Sequence, residues 1–219
     1  MRFTKLYAAT SVLAACLLLP WAWAETEALA EEPAPPAASA EAVQPLQPGS
    51  KVPELNLRDA AGETHPLKEI LGGKPAVVIF YRGGWCPFCT VHLAALSAVE
   101  AELTKLGYHL FALAPDPPEK IAETIEDKEL SYTILSDADL RAARSFGVAF
   151  QVDAETVTTY KGYGIELPVT GGAAVPALPV PAVFILDGEG IVRYTYANKD
   201  YKVRLDNDEL LRVAREHAE

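Results

Sequence analysis

Apolar positions along this chain follow two periodicities. Residues 76–81, Ala-Val-Val-Ile-Phe-Tyr, form an unbroken run rich in β-branched and aromatic side chains. Such a run predicts a strand buried on both faces, hence central in a sheet. After it, Leu93, Leu96, Val99, Leu103 and Leu106 recur every three or four positions until Gly107, the signature of an amphipathic helix with glycine just past its end. Residues 108–114 read as a strand. Asp116 is placed to cap a helix with Pro117 at its first position and Ile121 and Ile125 on its apolar side. A short strand over 132–135 and a helix over about 138–146, ended by Gly147, come next. Residues 182–186 and 191–196 predict a hairpin around Asp187-Gly188-Glu189-Gly190, and the last helix starts at Asp206 with Glu209 completing a capping-box pattern. Upstream, Leu55-Asn56-Leu57 and Thr64-His65-Pro66-Leu67 flank the turn-like Asp59-Ala60-Ala61-Gly62, a further hairpin, followed by one helical turn over 68–71. Residues 148–180 show no clear period and read as an insertion or lid-like loop. The order predicts a single α/β domain over 49–219, with a mixed sheet covered by helices on both faces and a hairpin extension at its N-terminal end.

The N-terminal region follows neither pattern. Arg2 and Lys5 precede an uncharged apolar stretch, 6–23, that closes on Ala22-Trp23-Ala24. A basic start, an apolar middle and small residues before a cleavage point predict a secretory signal peptide over 1–24 and an exported, periplasmic protein. The stretch is long enough to span a bilayer, but Pro20 and the Ala-x-Ala ending favour cleavage. Leu13-Ala14-Ala15-Cys16 resembles a lipobox, which would make Cys16 a lipid anchor; the apolar run continues past Cys16, and this favours cleavage after Ala24. Residues 25–48, rich in Ala, Glu and Pro, read as a disordered or extended linker. Losing Arg2 and Lys5 and no acid would take the net charge from −11 to −13. Such a body does not bind nucleic acid by neutralising phosphates and has no polybasic membrane face.

Under that processing the mature chain keeps two of the three cysteines, Cys86 and Cys89, in Trp85-Cys86-Pro87-Phe88-Cys89. A disulfide closing so short a loop removes little unfolded-chain entropy, so reactivity explains the pair better than stapling. The pair falls where the central strand meets the helix. There unpaired N–H groups and the positive helix end favour a thiolate at Cys86, and Pro87 suits the first helical position. Cys89, one turn on, is within reach of Cys86, which predicts attack by Cys86 and resolution by Cys89. Haem attachment would need His where Thr90 stands. A zinc site from Cys86, Cys89 and His92 lacks a fourth ligand. His92, like His65, His109 and His217, reads as a surface or packing residue, and neither metal nor cofactor is expected.

The run Phe80-Tyr81-Arg82-Gly83-Gly84-Trp85-Cys86-Pro87-Phe88-Cys89 resembles the AhpC/TSA group, the peroxiredoxin-like members of the thioredoxin superfamily. So do Gly49-Ser50-Lys51-Val52-Pro53-Glu54-Leu55, Leu135-Ser136-Asp137 with Phe146-Gly147, and Val180-Pro181-Ala182-Val183-Phe184-Ile185-Leu186-Asp187. The resemblance implies a thioredoxin-like fold in which Pro181, with Pro179 as the weaker candidate, is a cis proline facing the dithiol. Trp85, Pro87, Val180 and Pro181 would then shape a groove whose backbone pairs with an extended substrate. Two features of peroxiredoxins are missing. Gly83 stands where they carry a threonine three residues before the nucleophile, and Pro181 stands where they carry an arginine; Arg82 is a partial substitute. Phe80 replaces thioredoxin's buried acid, which leaves Cys89 without an identified proton acceptor. These departures favour an exported thiol–disulfide oxidoreductase that exchanges with protein or small-molecule disulfides and is coupled to a separate electron donor or acceptor. A thiol-dependent peroxidase acting on hydrogen peroxide or organic hydroperoxides is the alternative, and a copper-binding or redox-sensing module a more distant one.

Overall fold

A computed structural model describes residues 32–169 and 176–218. The predicted signal peptide and Cys16 lie outside them. The chain forms strands β1 (Asn56–Arg58) and β2 (Thr64–Pro66), helix α1 (Leu67–Leu71), β3 (Ala76–Phe80), α2 (Pro87–Lys105), β4 (His109–Ala114), α3 (Pro118–Lys128), β5 (Thr133–Ser136) and α4 (Arg141–Ser145). There follow β6 (Ala149–Gln151), α5 (Ala154–Gly162), β7 (Ala177–Pro179), β8 (Ala182–Leu186), β9 (Val192–Ala197) and α6 (Asn207–Glu216).

Seven strands make one sheet in the order β2-β1-β5-β4-β3-β8-β9. β3 pairs parallel with β4 and antiparallel with β8, so it is interior, and all five of its residues are buried. Alternation along it divides the core. Val77, Ile79 and Tyr81 join the apolar sides of α2, α3 and α6, whereas Ala76, Val78 and Phe80 pack with residues of α1, α4 and β7. This is the mixed α/β sheet with helices on both faces that the pattern predicts, and β1 and β2 form the N-terminal hairpin.

Four expectations need correction. Asp116 does not cap α3: Pro117 is the N-cap, and the Asp116 carboxylate turns instead to the loop after β3. At α6, Asp206 accepts from the Asp208 N–H, but Glu209 pairs with Arg212 and completes no capping box. Residues 148–180 are more than a loop, because β6 and β7 form a separate two-stranded sheet with α5 between them in sequence. Residues 32–48, read as linker, lie against the domain. The Ala37 N–H donates to Ala149, the Leu46 N–H donates to Phe146, and Arg144 donates to the Pro33 and Ala34 carbonyls while pairing with Glu32 at 2.8 Å. The strap crosses Gly147 so closely that a Cβ there would sit 2.8 Å from the Gln44 carbonyl carbon. It is held by backbone pairing, by the buried Arg144 and by Ala40, Val43 and Leu46 packing at the edge of the core, apolar residues too few and too irregularly spaced to mark an element in the sequence.

Candidate active site

β3 delivers the chain into the loop 81–85. The Tyr81 N–H donates to Leu113, and the Gly84 N–H donates to the Asp116 carboxylate at 2.7 Å. Cys86 is the N-cap of α2 with Pro87 at the first helical position, and the Cys86 carbonyl accepts from the N–H groups of Cys89 and Thr90. The two sulfurs are therefore one helical turn apart at the positive end of a nineteen-residue helix. Both are free thiols and both are buried.

The electrostatics separate them. The thiol of Cys86 is lowered to about 6, first by the hydrogen bond from Cys89 and against the penalty of burial. The Cys89 backbone N–H and the cations Arg82 and Arg204 add to the lowering. Cys89 is driven well above its ordinary value, first by that same shared hydrogen bond, then by burial and the Cys86 charge. At neutral pH the pair holds one proton, and the negative charge rests on Cys86.

Arg82 is buried in an aromatic cage. Its guanidinium carbon lies 4.2 Å from the Tyr201 ring centroid, 5.3 Å from Trp85 and 5.4 Å from Tyr160, and Nη2 donates to the Tyr160 hydroxyl. Trp85 and Tyr160 also meet edge to face at 5.3 Å. Arg204, on the loop before α6, donates from Nη2 to the Cys89 sulfur at 3.3 Å. Neither guanidinium has a carboxylate partner among the described residues. Arg82 lines a groove of about 930 Å³ with Tyr160, Tyr201 and strap residues 38–41. Arg204 lines another of about 610 Å³, rimmed by Pro87, Phe88, Val91 and His92 of α2.

Of the residues singled out in the sequence, Cys86, Cys89, Trp85, Pro87 and Arg82 are thus gathered at the start of α2. Pro181 precedes β8 as expected, but no peptide bond among the described residues is cis. Its carbonyl accepts from Asn198, and the Val180 N–H donates to Val148. Both residues are buried, and the Val180 N–H and Pro181 carbonyl, expected to be open to a substrate strand, are already used within the chain. Arg204, Tyr160 and Tyr201 were not identifiable beforehand. Tyr160 falls in the aperiodic stretch, and nothing in Tyr201-Lys202-Val203-Arg204 distinguishes it from an ordinary polar loop. Asp59, Glu63 and His65 bring three ligand-type side chains together, but the Asp59 oxygens are taken by the N–H groups of Ala61 and Glu63 and by His65 at 3.0 Å, the bonding of a tight turn.

Residues 48–195 match the AhpC/TSA family. The chain belongs to that family. Among its relatives, peroxiredoxin Bcp of Escherichia coli strain K12 is 28% identical over 177 residues, covering 80% of this chain and 100% of that protein. A putative peroxiredoxin bcp of Haemophilus influenzae is 35% identical over 106 residues, covering 48% of this chain and 68% of the other. Among solved structures, peroxidoxin BcpB of Mycobacterium tuberculosis superposes with a TM-score of 0.61 at 21% identity, covering 80% of this chain and 99% of that one. Peroxiredoxin Q of Xanthomonas campestris gives 0.59 at 21% identity, covering 75% and 92%. These structures establish the thioredoxin-like fold. As a member of the AhpC/TSA family, the protein is an oxidoreductase that works through thiols.

Proposed function

We propose that the protein is an exported thiol-dependent peroxidase in which Cys86 attacks the peroxide and Cys89 resolves the product. The observation that carries this reading is a pair of free, buried thiols at the N-cap and first turn of α2, in a chain of the AhpC/TSA family whose relatives are named peroxiredoxins. It reverses the preference for disulfide exchange, because Arg82 brings to Cys86 the positive charge that an arginine at the position of Pro181 would supply; the threonine hydroxyl missing at Gly83 is not replaced.

The Cys86 thiolate attacks one peroxide oxygen; the S–O bond forms, the O–O bond breaks, and the departing alkoxide or hydroxide takes a proton to leave as alcohol or water. Sulfur is oxidised to the sulfenic acid and the peroxide is reduced. Cys89 then attacks the Cys86 sulfur, forming the Cys86–Cys89 disulfide, while the sulfenic hydroxyl departs with the Cys89 proton as water. An external dithiol returns the pair to its starting state by exchange. That last half-reaction is ordinary thiol–disulfide chemistry, so the second reading, exchange with protein or small-molecule disulfides, uses the same two sulfurs.

The test is peroxide consumption by the purified protein with a dithiol donor. Turnover abolished by Cys86→Ser, and a trappable sulfenic acid that persists in Cys89→Ser, are the expected results. Rapid exchange with disulfides but no reduction of hydrogen peroxide or an organic hydroperoxide would leave exchange as the function.

A further inference from the structure

Neither reading names a side chain that takes the Cys89 proton, and Phe80 occupies the position of thioredoxin's buried acid. The structure puts a cation beside this sulfur instead. Arg204 reaches from the loop before α6 with its guanidinium anchored: Nη1 donates to the carbonyls of Tyr201 and, at 3.0 Å, Val203. Nη2 is thereby aimed at the Cys89 sulfur, 3.3 Å away and 115 positions distant in sequence. Nε is buried without a partner. A guanidinium fixed this way, with no carboxylate partner among the described residues, is poised to receive negative charge.

We propose that Arg204 is a catalytic residue of the resolving step, stabilising the Cys89 thiolate once Cys86 has been oxidised or capped. The inference rests on Cys86 being the attacking and Cys89 the resolving sulfur. In the resting pair the Cys86 charge keeps Cys89 protonated. Converting Cys86 to a neutral sulfenic acid or mixed disulfide removes that charge and its hydrogen-bonding demand. The charged and titratable groups acting on Cys89 are then Arg204 from the α6 side and Arg82, whose backbone N–H also serves it, from the loop after β3. The buried Tyr81 phenol is a third neighbour, kept neutral chiefly by burial. Burial still opposes the charge, and the two cations, with no anion left among these groups, offset it so that Cys89 reacts as the thiolate. Its proton leaves with the sulfenic hydroxyl as water, or to solvent when a mixed disulfide is resolved. Arg204 thus does by charge what a buried acid does in thioredoxin by accepting a proton.

Dithiodipyridine separates the two steps without peroxide. Attack by Cys86 releases one thiopyridone, and resolution by Cys89 releases the second. In Arg204→Met the first release should stay within about two-fold of wild type, because Cys89 and Arg82 still support Cys86. The second should slow roughly five-fold at neutral pH, the lost thiolate fraction being partly offset by greater intrinsic nucleophilicity. Its pH–rate inflection should move up by about one unit, and Arg204→Lys should recover part of both changes. A second release with unchanged rate and inflection in Arg204→Met would overturn the proposal, as would equal slowing of both phases. Thermal unfolding of each variant identifies loss of fold. Peroxide turnover by wild type is read separately, so failure of the peroxidase reading and failure of this one give different results.

Discussion

Gly83 shows how one position constrains the chemistry. Its φ is +141°, outside the range that side-chain-bearing residues favour, and a Cβ there would sit 2.8 Å from Trp85 Cδ1 and 2.9 Å from Asp116 Oδ1. The threonine that peroxiredoxins place three residues before the nucleophile is excluded here by sterics, so adding it should not improve the enzyme. Gly83→Thr should cost about 2–4 kcal/mol, combining backbone strain with overpacking. It should also lower peroxide turnover by pushing Trp85 and Asp116 away from the loop. Urea denaturation reads the first effect and the consumption assay the second; higher turnover in the variant would show that the missing hydroxyl, and not the backbone, limits the site. Asp116 adds to the constraint, since its carboxylate holds the Gly84 N–H in a setting where burial raises its pKa. Trp85 joins this loop to the Arg82 cage, standing beside Gly83 on one side and contributing a ring to the cage on the other.

Among the elements, β3 and α2 were legible because each buries a regular face, and the pattern of apolar residues is the record of that burial. The dithiol was legible for the same reason: it falls at the junction of two clear elements. The strap 32–48 was not. Its fixing points are mainly the Ala37 and Leu46 backbone groups and carbonyls turned toward Arg144, which leave no trace in composition, and the few apolar residues it packs on the core, Ala40, Val43 and Leu46, follow no period. Arg204 was hidden by distance along the chain, because a loop arginine gains meaning only when folding brings it to Cys89. Arg144 offers a check on the strap. Its side chain is 4% exposed, its charge meets Glu32 at 2.8 Å, and its other bonds end on strap carbonyls. Arg144→Ala should destabilise the protein by about 2 kcal/mol through lost charge-assisted bonds. It should also release the strap, so that a glutamate-specific protease cuts at the exposed Glu41 in the variant well before wild type. Equal cutting rates would mean that the backbone pairing at Ala37 and Leu46 holds the strap unaided.

Across the whole molecule, two buried titratable groups on opposite faces of the sheet set opposing responses to acid. His92, on α2 with the dithiol, is lowered from 6.5 to about 4 by burial and by the nearby Arg204 charge. Between those values the unfolded chain binds a proton that the folded one refuses, so His92 contributes stability above pH 6.5 that is lost as pH falls through about 4. Asp137, whose oxygens accept from the Ala142 and Ala143 N–H groups at the start of α4, is raised by burial from 3.8 to about 7. There the folded state keeps a proton that the unfolded one has released, so its contribution is fully present below pH 3.8 and is lost as pH rises through about 7. The windows overlap and the slopes oppose, which flattens the pH dependence of the intact protein between about 4 and 6.5. His92→Leu removes one of the two. Measured by denaturant unfolding, the stability of the variant relative to wild type should shift in its favour by about 3 kcal/mol from above pH 7 to about pH 4, whatever the fixed cost of the substitution. The comparison cancels Asp137, which is common to both proteins. A difference between variant and wild type that stays constant across the range would mean that His92 takes up its proton in the folded state, and that Arg204 does not hold it neutral beside the dithiol.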